Sequence, residues 1–264
     1  MTEKDHTVYF IGAGPGAPGY LTLDGKDALA GCLVVYALDP FPETFARFLG
    51  GKEVRGPLEY GFKEIIRDVE KFLAHGDVAF LVPGDMAVFS PFLPILEHFD
   101  NRARVIAGVG TMNAAAAVLK KTLEIRGISH SVVLTSPKRF DEEGGQEEFS
   151  RLAKGAGTMV LFMNNRPLAQ LSQELAVEFS PETPVAVVSH IGLEGERVYK
   201  GTLSSIDEVV GGDDIFGLES GDPSLALVIV GGVLDARSDP AFWDRRKDQF
   251  WKRKRKKGKG ITGP

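Results

Sequence analysis

The chain has 264 residues, 43% of them hydrophobic, enough for a sizeable core in one large domain or two smaller ones. No apolar run approaches the roughly 20 residues that cross a bilayer; the polar start Met1-Thr2-Glu3-Lys4-Asp5-His6 lacks the apolar core of a secretion signal. Cys32 is the one cysteine, which excludes an internal disulfide, so a soluble cytoplasmic protein is expected.

The net charge of −5 conceals a split: ten Lys or Arg against two Asp between Asp244 and Pro264 give that end +8 and leave −13 to the remainder. Along the chain, Val8-Tyr9-Phe10-Ile11 reads as a strand running straight into Gly12-Ala13-Gly14-Pro15-Gly16-Ala17-Pro18-Gly19, with a helix opening at Thr22. Glycine lets backbone approach a ligand closely, so the loop reads as a nucleotide-type cofactor site at the carboxyl end of the first strand of an α/β sheet. Gly12, Gly14 and Ala17 satisfy the dinucleotide pattern G-x-G-x-x-G/A, and Asp39 follows near the end of a second strand. Pro15 and Pro18 oppose an NAD reading, because each removes a backbone N–H that a pyrophosphate would need. The loop by itself leaves the cofactor open, and a plain tight turn would use the same glycines.

Further along, a helix over 23–30 closes at Gly31, a strand follows over 33–36 with Cys32 as a packed thiol beside it, and Asp39-Pro40-Phe41-Pro42 is a turn. Phe62, Ile65, Ile66, Val69, Phe72 and Leu73 fall at helical spacing. Apolar strands over 78–82 and 104–107 stop at Pro83-Gly84-Asp85 and at Gly108, and an alanine-rich helix follows over 112–121. Continuous apolar strands joined by helices predict a parallel sheet.

The second half reads differently. Strands over 131–135, 158–163, 184–189, 197–202 and 225–230, with a helix over 167–178 and a hairpin about the loop 192–195, predict a mixed sheet. The charged stretch 140–146 reads as an exposed loop. Trp243, Phe250 and Trp251 are expected to dock a short terminal helix onto the body, ahead of a solvated basic tail from Lys252 to Lys257. With no groove-reading element in that run, neither nucleic acid nor a membrane is expected as a partner. The predicted division is an N-terminal α/β domain over 1–124, a C-terminal α/β domain over 125–236, and a terminal helix with basic tail over 237–264. His6, His75, His98, His130 and His190 show no metal-ligand spacing, so no metal site is expected.

Taken in order, these landmarks resemble the tetrapyrrole methylase family, S-adenosylmethionine (SAM) enzymes that methylate corrin and porphyrin precursors. The opening G-x-G-P-G-x-P is matched from Gly12 to Pro18, and the G-D-P-x-x-[YF] element by Gly84-Asp85-Met86-Ala87-Val88-Phe89. Ala107-Gly108-Val109-Gly110-Thr111 matches the P-G-[VI]-[ST]-[SA] element before its alanine-rich helix. The order continues through Val160-Leu161-Phe162-Met163, Pro184 to Val188, Gly201-Thr202-Leu203 and Leu227 to Gly231, so the resemblance spans about residues 7–234. Leu119 to Leu123 and Ser131 to Thr135 bring the chain nearest the precorrin-4 C11-methyltransferase branch. Departures stand at Met86 and Ala107, where the family has proline, and at Ser136, where many relatives have arginine.

The resemblance implies two α/β domains with SAM in the cleft between them and a homodimer. Carried over by position, it implies cofactor contacts at Pro15, Pro83, Gly84, Asp85, Val88, Gly110, Thr111, Met163 and Ala186. The chemistry implied is methyl transfer to carbon, in which the cofactor brings the activated group and the protein supplies positioning and a water-poor site. Asp39 is the candidate base, with turn formation beside Pro40 as its alternative role. A tetrapyrrole precursor carries many carboxylates, so its site should offer Arg or Lys; Arg55, Lys120, Arg126, Lys138 and Arg139 are candidates, with surface solvation the alternative for each. Competing readings are methylation of a non-tetrapyrrole acceptor such as a protein side chain, a non-catalytic SAM or tetrapyrrole binder, and an NAD-dependent oxidoreductase.

Overall fold

In the computed structural model, which describes residues 6–143 and 145–258, ten strands form two five-stranded sheets. The first sheet holds β1 (Val8–Gly12), β2 (Cys32–Ala37), β3 (Glu53–Arg55), β4 (Asp77–Val82) and β5 (Ala103–Ile106), in the order β3-β2-β4-β1-β5. Every pairing in it is parallel, as the unbroken apolar runs predict. The second holds β6 (Val132–Thr135), β7 (Thr158–Leu161), β8 (Pro184–Ser189), β9 (Arg197–Thr202) and β10 (Ala226–Val230), in the order β6-β7-β10-β8-β9. There β6 and β7 run parallel, whereas β10 opposes both its neighbours and β8 with β9 makes the expected hairpin.

Helices cover both faces of the first sheet. On one face α4 (Phe62–Leu73) and α5 (Leu93–Phe99) bury Ile65, Val69, Leu73, Ile95 and Phe99 against Val8, Phe10, Tyr36 and Phe80. The α4 start is fixed by Glu64, whose carboxylate accepts the Gly61 N–H at 2.9 Å. On the other face α1 (Leu23–Gly31), α2 (Phe41–Thr44) and α3 (Ala46–Leu49) pack Leu29, Phe41, Phe45 and Leu49 against Ile11, Val35, Ala79 and Leu81. Thr22 caps α1 by accepting the Gly25 N–H at 3.1 Å. Cys32 is buried on this face, as expected of a packed thiol.

A nine-residue helix, α6 (Thr111–Leu119), leaves the first sheet and lays Ala114, Ala115 and Leu119 on the second, against Val160, Ala186, Val188, Leu227 and Ile229. Alanine brings helix and sheet backbones close. The opposite face of the second sheet packs on α8 (see below) and two further helices over 168–175 and 206–210.

Two expectations are corrected. The stretch 140–146 is not an open loop: α7 (Pro137–Glu143) and α8 (Gln146–Ala153) occupy it, Gly144 lying outside the described residues. Phe140 meets the buried Phe149 with ring centroids 5.4 Å apart, and Asp141 pairs with Arg166 at 2.7 Å. Tertiary contact thus overrides a charged composition. The terminal helix, which follows the helices α9 (Leu168–Leu175) and α10 (Ile206–Val210) as α11 (Ala241–Gly258), is not docked through its aromatics: Trp243 is 75% and Phe250 56% exposed. Cations encircle the helix, so seating any face on the body would strip water from charge. The Trp251 side chain lies outside the described residues.

Candidate active site

The strand order of the first sheet creates a switch point. From β1 the chain passes over β4 to reach β2, and from β4 it passes over β1 to reach β5, so connections leave the β1–β4 pair in opposite directions. Ligands of open α/β sheets bind outside the carboxyl ends of strands at such a point.

Three glycines draw the loops there together. A Cβ on Gly12 would stand 2.5 Å from Gly108 Cα and 3.0 Å from Gly84 O; one on Gly108 would stand 2.3 Å from Gly84 O. Side chains are impossible at these separations, which is the physical reason for G-x-G after β1 and for glycine after β5. The Gly14 N–H donates to Gly84 O at 3.1 Å and the Gly84 N–H returns to Gly14 O at 2.8 Å, locking the first loop to the second. Gly84 has φ +65°, a left-handed conformation natural to glycine. The Asp85 carboxylate then accepts the Gly108 N–H at 2.8 Å and the Ala87 N–H at 2.7 Å, tying in the third loop. The Thr22 hydroxyl donates to Ala107 O at 3.3 Å on the same edge.

The carboxyl ends of β7 and β8 share one edge of the second sheet, since Leu161 and Val187 both pair with Val228. That edge meets the first sheet's loops: a Cβ on Gly192 would stand 2.7 Å from the Tyr20 ring and 2.9 Å from Ala17 Cβ, and one on Gly16 2.7 Å from Leu193. Met163 after β7 and His190 after β8 both adopt left-handed backbone, at φ 46° and 53°. Non-glycine residues in that region store strain and cluster at functional sites. The edge also concentrates buried polar atoms without a hydrogen-bond partner in the structure: Ser136 Oγ, Asn164 Oδ1, Arg166 Nε and Ser224 Oγ. Such atoms ask for water or a ligand.

Behind Met163 lies an ionic cluster. The buried Arg166 pairs with the buried Glu174, donates to Pro137 O at 3.0 Å and reaches Asp141 at 2.7 Å. The hydrogen bond from Asn165, and then Arg166, hold the Asp141 carboxyl below its ordinary range. Together these contacts fasten the β7–α9 connection to the β6–α7 connection.

The sequence-predicted residues sort cleanly by edge. Pro15, Pro83, Gly84, Asp85, Gly110 and Thr111 stand in the interlocked loops of the first sheet; Val88 follows in the turn after Asp85, 60% exposed. Met163 stands at the second sheet's facing edge, and Ala186 is buried mid-strand under α6. Asp39 is exposed in the turn after β2, whose carboxyl end neighbours that of β4. Arg55 is committed elsewhere: its guanidinium pairs with Glu53, Tyr60 and, at 3.1 Å, Asp68, and covers the Phe72 ring at 4.9 Å. Its hydrogen bond to Glu53, chiefly, raises its pKa further. Lys120 ends α6 in left-handed conformation (φ 55°), roughly 13 Å along the axis from Thr111. Arg126 lies in the turn closed by Ile125 and Ser129, beside the amino end of β7, where Thr158 Oγ1 donates to Leu123 O at 2.9 Å. Lys120 and Arg126 are therefore away from the junction. Lys138 and Arg139 sit on α7 directly after the carboxyl end of β6, on the junction side; the Arg139 side chain lies outside the described residues. Residues the sequence reading passed over are Tyr20, Gly108, Gly192, Leu193 and His190. Only the glycine spacing around 192–195 carried a signal for them.

A separate cavity of about 270 Å³ opens at the far end of α6, among Leu119, Lys121, Pro184, Lys200, Thr202 and Asp235. Its one predicted contact is Ala186, so it is distinct from the loop junction. Among the described residues no cluster of His, Cys, Asp and Glu is arranged to hold a metal, and no helix is long and apolar enough to cross a membrane.

Two α/β sheets meeting at glycine-built strand ends define a cofactor-binding enzyme fold, and the comparisons specify which. The chain belongs to the tetrapyrrole (corrin/porphyrin) methylases, whose family profile matches residues 7–207. It is 32% identical over 244 residues to a precorrin-4 C(11)-methyltransferase of Rhodococcus erythropolis, covering 89% of this chain and 94% of the relative. The fold is shared with a cobalt precorrin-4 methyltransferase solved by X-ray (TM-score 0.70, 22% identity, 87% of this chain and 96% of that one). A uroporphyrin-III C-methyltransferase from Thermus thermophilus, solved in complex with S-adenyl homocysteine, superposes with TM-score 0.66 at 26% identity, over 87% of this chain and 99% of that one.

Proposed function

We propose that this chain is a SAM-dependent C-methyltransferase that methylates a precorrin-4-type macrocycle at C11 in cobalamin biosynthesis, acting in the cytoplasm as a homodimer. The observation that carries the reading is the interlocked Gly12–Gly84–Gly108 junction facing the Met163 edge, in a chain that aligns with a precorrin-4 C(11)-methyltransferase over nearly its full length. The residues present suit the cofactor. Loops lacking the N–H groups of Pro15 and Pro18 cannot cradle a pyrophosphate, while an adenosine and an amino-acid moiety need close backbone, apolar walls and a few polar partners. The start of α6 has no side-chain cap, so the N–H groups from Thr111 onward suit the carboxylate of the amino-acid moiety. The orphaned polar atoms at the second edge supply the remaining partners.

When bound, SAM supplies an electrophilic methyl group. The protein's part is to hold donor and acceptor in line and to exclude water. Pro15, Pro83, Gly84, Gly110, Thr111 and Met163 are the proposed cofactor contacts, with Val88 at the rim and Ala186 lining from beneath; Asp85 acts by fixing the Gly108 loop. Asp39, exposed beside the β4 loop, is the proposed acceptor of the proton the macrocycle loses. For substrate carboxylates the placement favours Arg139 over Arg55, Lys120 and Arg126. We further take the two sheets as the cores of two domains divided near residue 124, with residues 237–264 as an appendage.

The test is calorimetric titration with S-adenosylhomocysteine and, in parallel, NAD, followed by incubation with SAM and precorrin-4 read by mass spectrometry. Binding of the first ligand alone, with gain of one methyl group on the macrocycle, is expected. Binding without turnover would make the chain an idle SAM binder; methylation of another acceptor would replace the substrate while keeping the enzyme class.

A further inference from the structure

The basic carboxyl-terminal helix is built for a surface other than its own body. Every residue from Ala241 to Phe250 in α11 is exposed, including Phe242 at 44%, Trp243 at 75% and Phe250 at 56%. Large apolar side chains left in water on a helix mark an interaction face.

The sequence around the helix is asymmetric. Trp243 and Phe250 lie within about 20° of each other around the axis, with Arg246 and Lys247 one turn between them, so one stripe alternates aromatic rings and cations. Asp244 and Asp248 point about 100° or more away from that stripe. From Ala241 to Gly258 nine Lys or Arg stand against these two Asp, and Lys252 to Lys257 are all basic. A helix with aromatic and cationic side chains on one face, low hydrophobicity and acids on the other lies in the plane of a bilayer interface, rings in the headgroup region and cations on anionic headgroups.

We propose that α11 is a peripheral docking helix for an anionic lipid bilayer surface. The body's own charge complements this. Residues outside 244–264 carry −13, so an anionic surface attracts the protein through the helix and repels the rest, presenting the body to solvent in one orientation. A nucleic acid would satisfy the cations equally, but stacked bases offer no apolar layer for Phe242, Trp243 and Phe250 together. The bilayer interface takes both.

The chain carries its own probe. Trp243 and Trp251 are its two tryptophans and both lie in α11, so tryptophan emission reports on this helix alone. Full-length protein is mixed with vesicles of equal phosphatidylglycerol and phosphatidylcholine, with phosphatidylcholine vesicles, and with single-stranded poly(U) RNA. Expected are an emission shift to shorter wavelength and co-sedimentation with the anionic vesicles, both lost at high salt and both absent with neutral vesicles. The double variant Phe242→Ser, Phe250→Ser should abolish sedimentation while S-adenosylhomocysteine binding is unchanged, which separates docking from folding. Absence of shift and sedimentation with the anionic vesicles overturns the proposal, as does a response to the RNA alone.

Discussion

The Asp85 carboxylate accepts the backbone N–H of Gly108 at 2.8 Å across a gap of 23 residues, joining the loop after β4 to the loop after β5. Its second oxygen holds the Ala87 N–H at 2.7 Å, so one side chain sets the spacing of two of the three loops at the junction. Replacement by alanine removes two bonds to a charged acceptor, each worth about 1.5–3 kcal/mol when intact. Asp85→Ala is expected to weaken S-adenosylhomocysteine binding at least about tenfold, or about 1.4 kcal/mol, in calorimetry. An affinity equal to that of the parent protein would remove Asp85 from the cofactor site.

Gly108→Ala tests the junction more directly. The added methyl would stand 2.3 Å from Gly84 O and 2.6 Å from Gly12 Cα, both backbone atoms that have no rotamer to escape into. The loops must part, at a cost of about 1–3 kcal/mol for an overpacked site. Thermal denaturation should show a lowered Tm, and S-adenosylhomocysteine binding should fall with it. A variant that melts and binds like the parent would mean that the three loops do not have to touch.

The Arg166–Glu174 pair makes a prediction about folding rather than ligand. Both side chains are 7% exposed, so removing one leaves a buried charge without its counterpart, at about 3–5 kcal/mol. Arg166→Met is expected to be strongly destabilising in urea titration. The double change Arg166→Met, Glu174→Leu should recover much of that loss, since replacing a buried pair with apolar side chains is often near neutral. Equal destabilisation by the single and double variants would refute a charge origin.

Asp141 links stability to pH. Its carboxyl titrates below the ordinary range because Asn165 and Arg166 favour the ionised form. A lowered native pKa contributes stability that is present above the ordinary Asp range and is lost as pH falls through the lowered value. The Tm difference between the parent and Asp141→Asn should therefore be largest near neutral pH and shrink in acid. A difference that stays constant down to pH 3 would contradict the linkage.

Cys32 should be chemically silent in the native protein. Burial first, and then Asp77, push its thiol up to about 12, and it donates to Ala28 O at 3.2 Å. Iodoacetamide at pH 8 is expected to label it in denaturant and to leave it unmodified in the folded state. Rapid native labelling would show that β2 opens locally.

Much of this architecture is legible in the sequence because burial and apolarity coincide. The runs 78–82 and 184–189 are strands whose residues are almost all buried on both faces, so no alternation is needed to see them. The glycines at 12 and 84 are readable because only backbone fits where they stand. What the sequence hides is non-local. Nothing around Phe140 shows that Phe149 and Arg166 wait across the fold, and charge alone suggests a loop there. The aromatics of α11 invite the opposite error, since exposure depends on whether a matching groove exists. Likewise Tyr20 and Gly192 lie far apart in sequence, and their contact is set by how the two sheets meet. Orphaned polar atoms such as Ser224 Oγ appear only when every neighbour is in place.

The two attachments of α6 bear on any recombination between relatives. Its amino end begins in the cofactor loops, while Ala114, Ala115 and Leu119 belong to the core of the second sheet. A crossover placed near residue 124, where composition puts the seam, would import a foreign helix face against resident β8 and β10. A crossover at Gly110 keeps helix and sheet from one parent, but then the residues on either side of the new peptide bond both serve the ligand. The halves are therefore not freely interchangeable modules, and chimeras should lose either packing or cofactor affinity according to which side of α6 they cut.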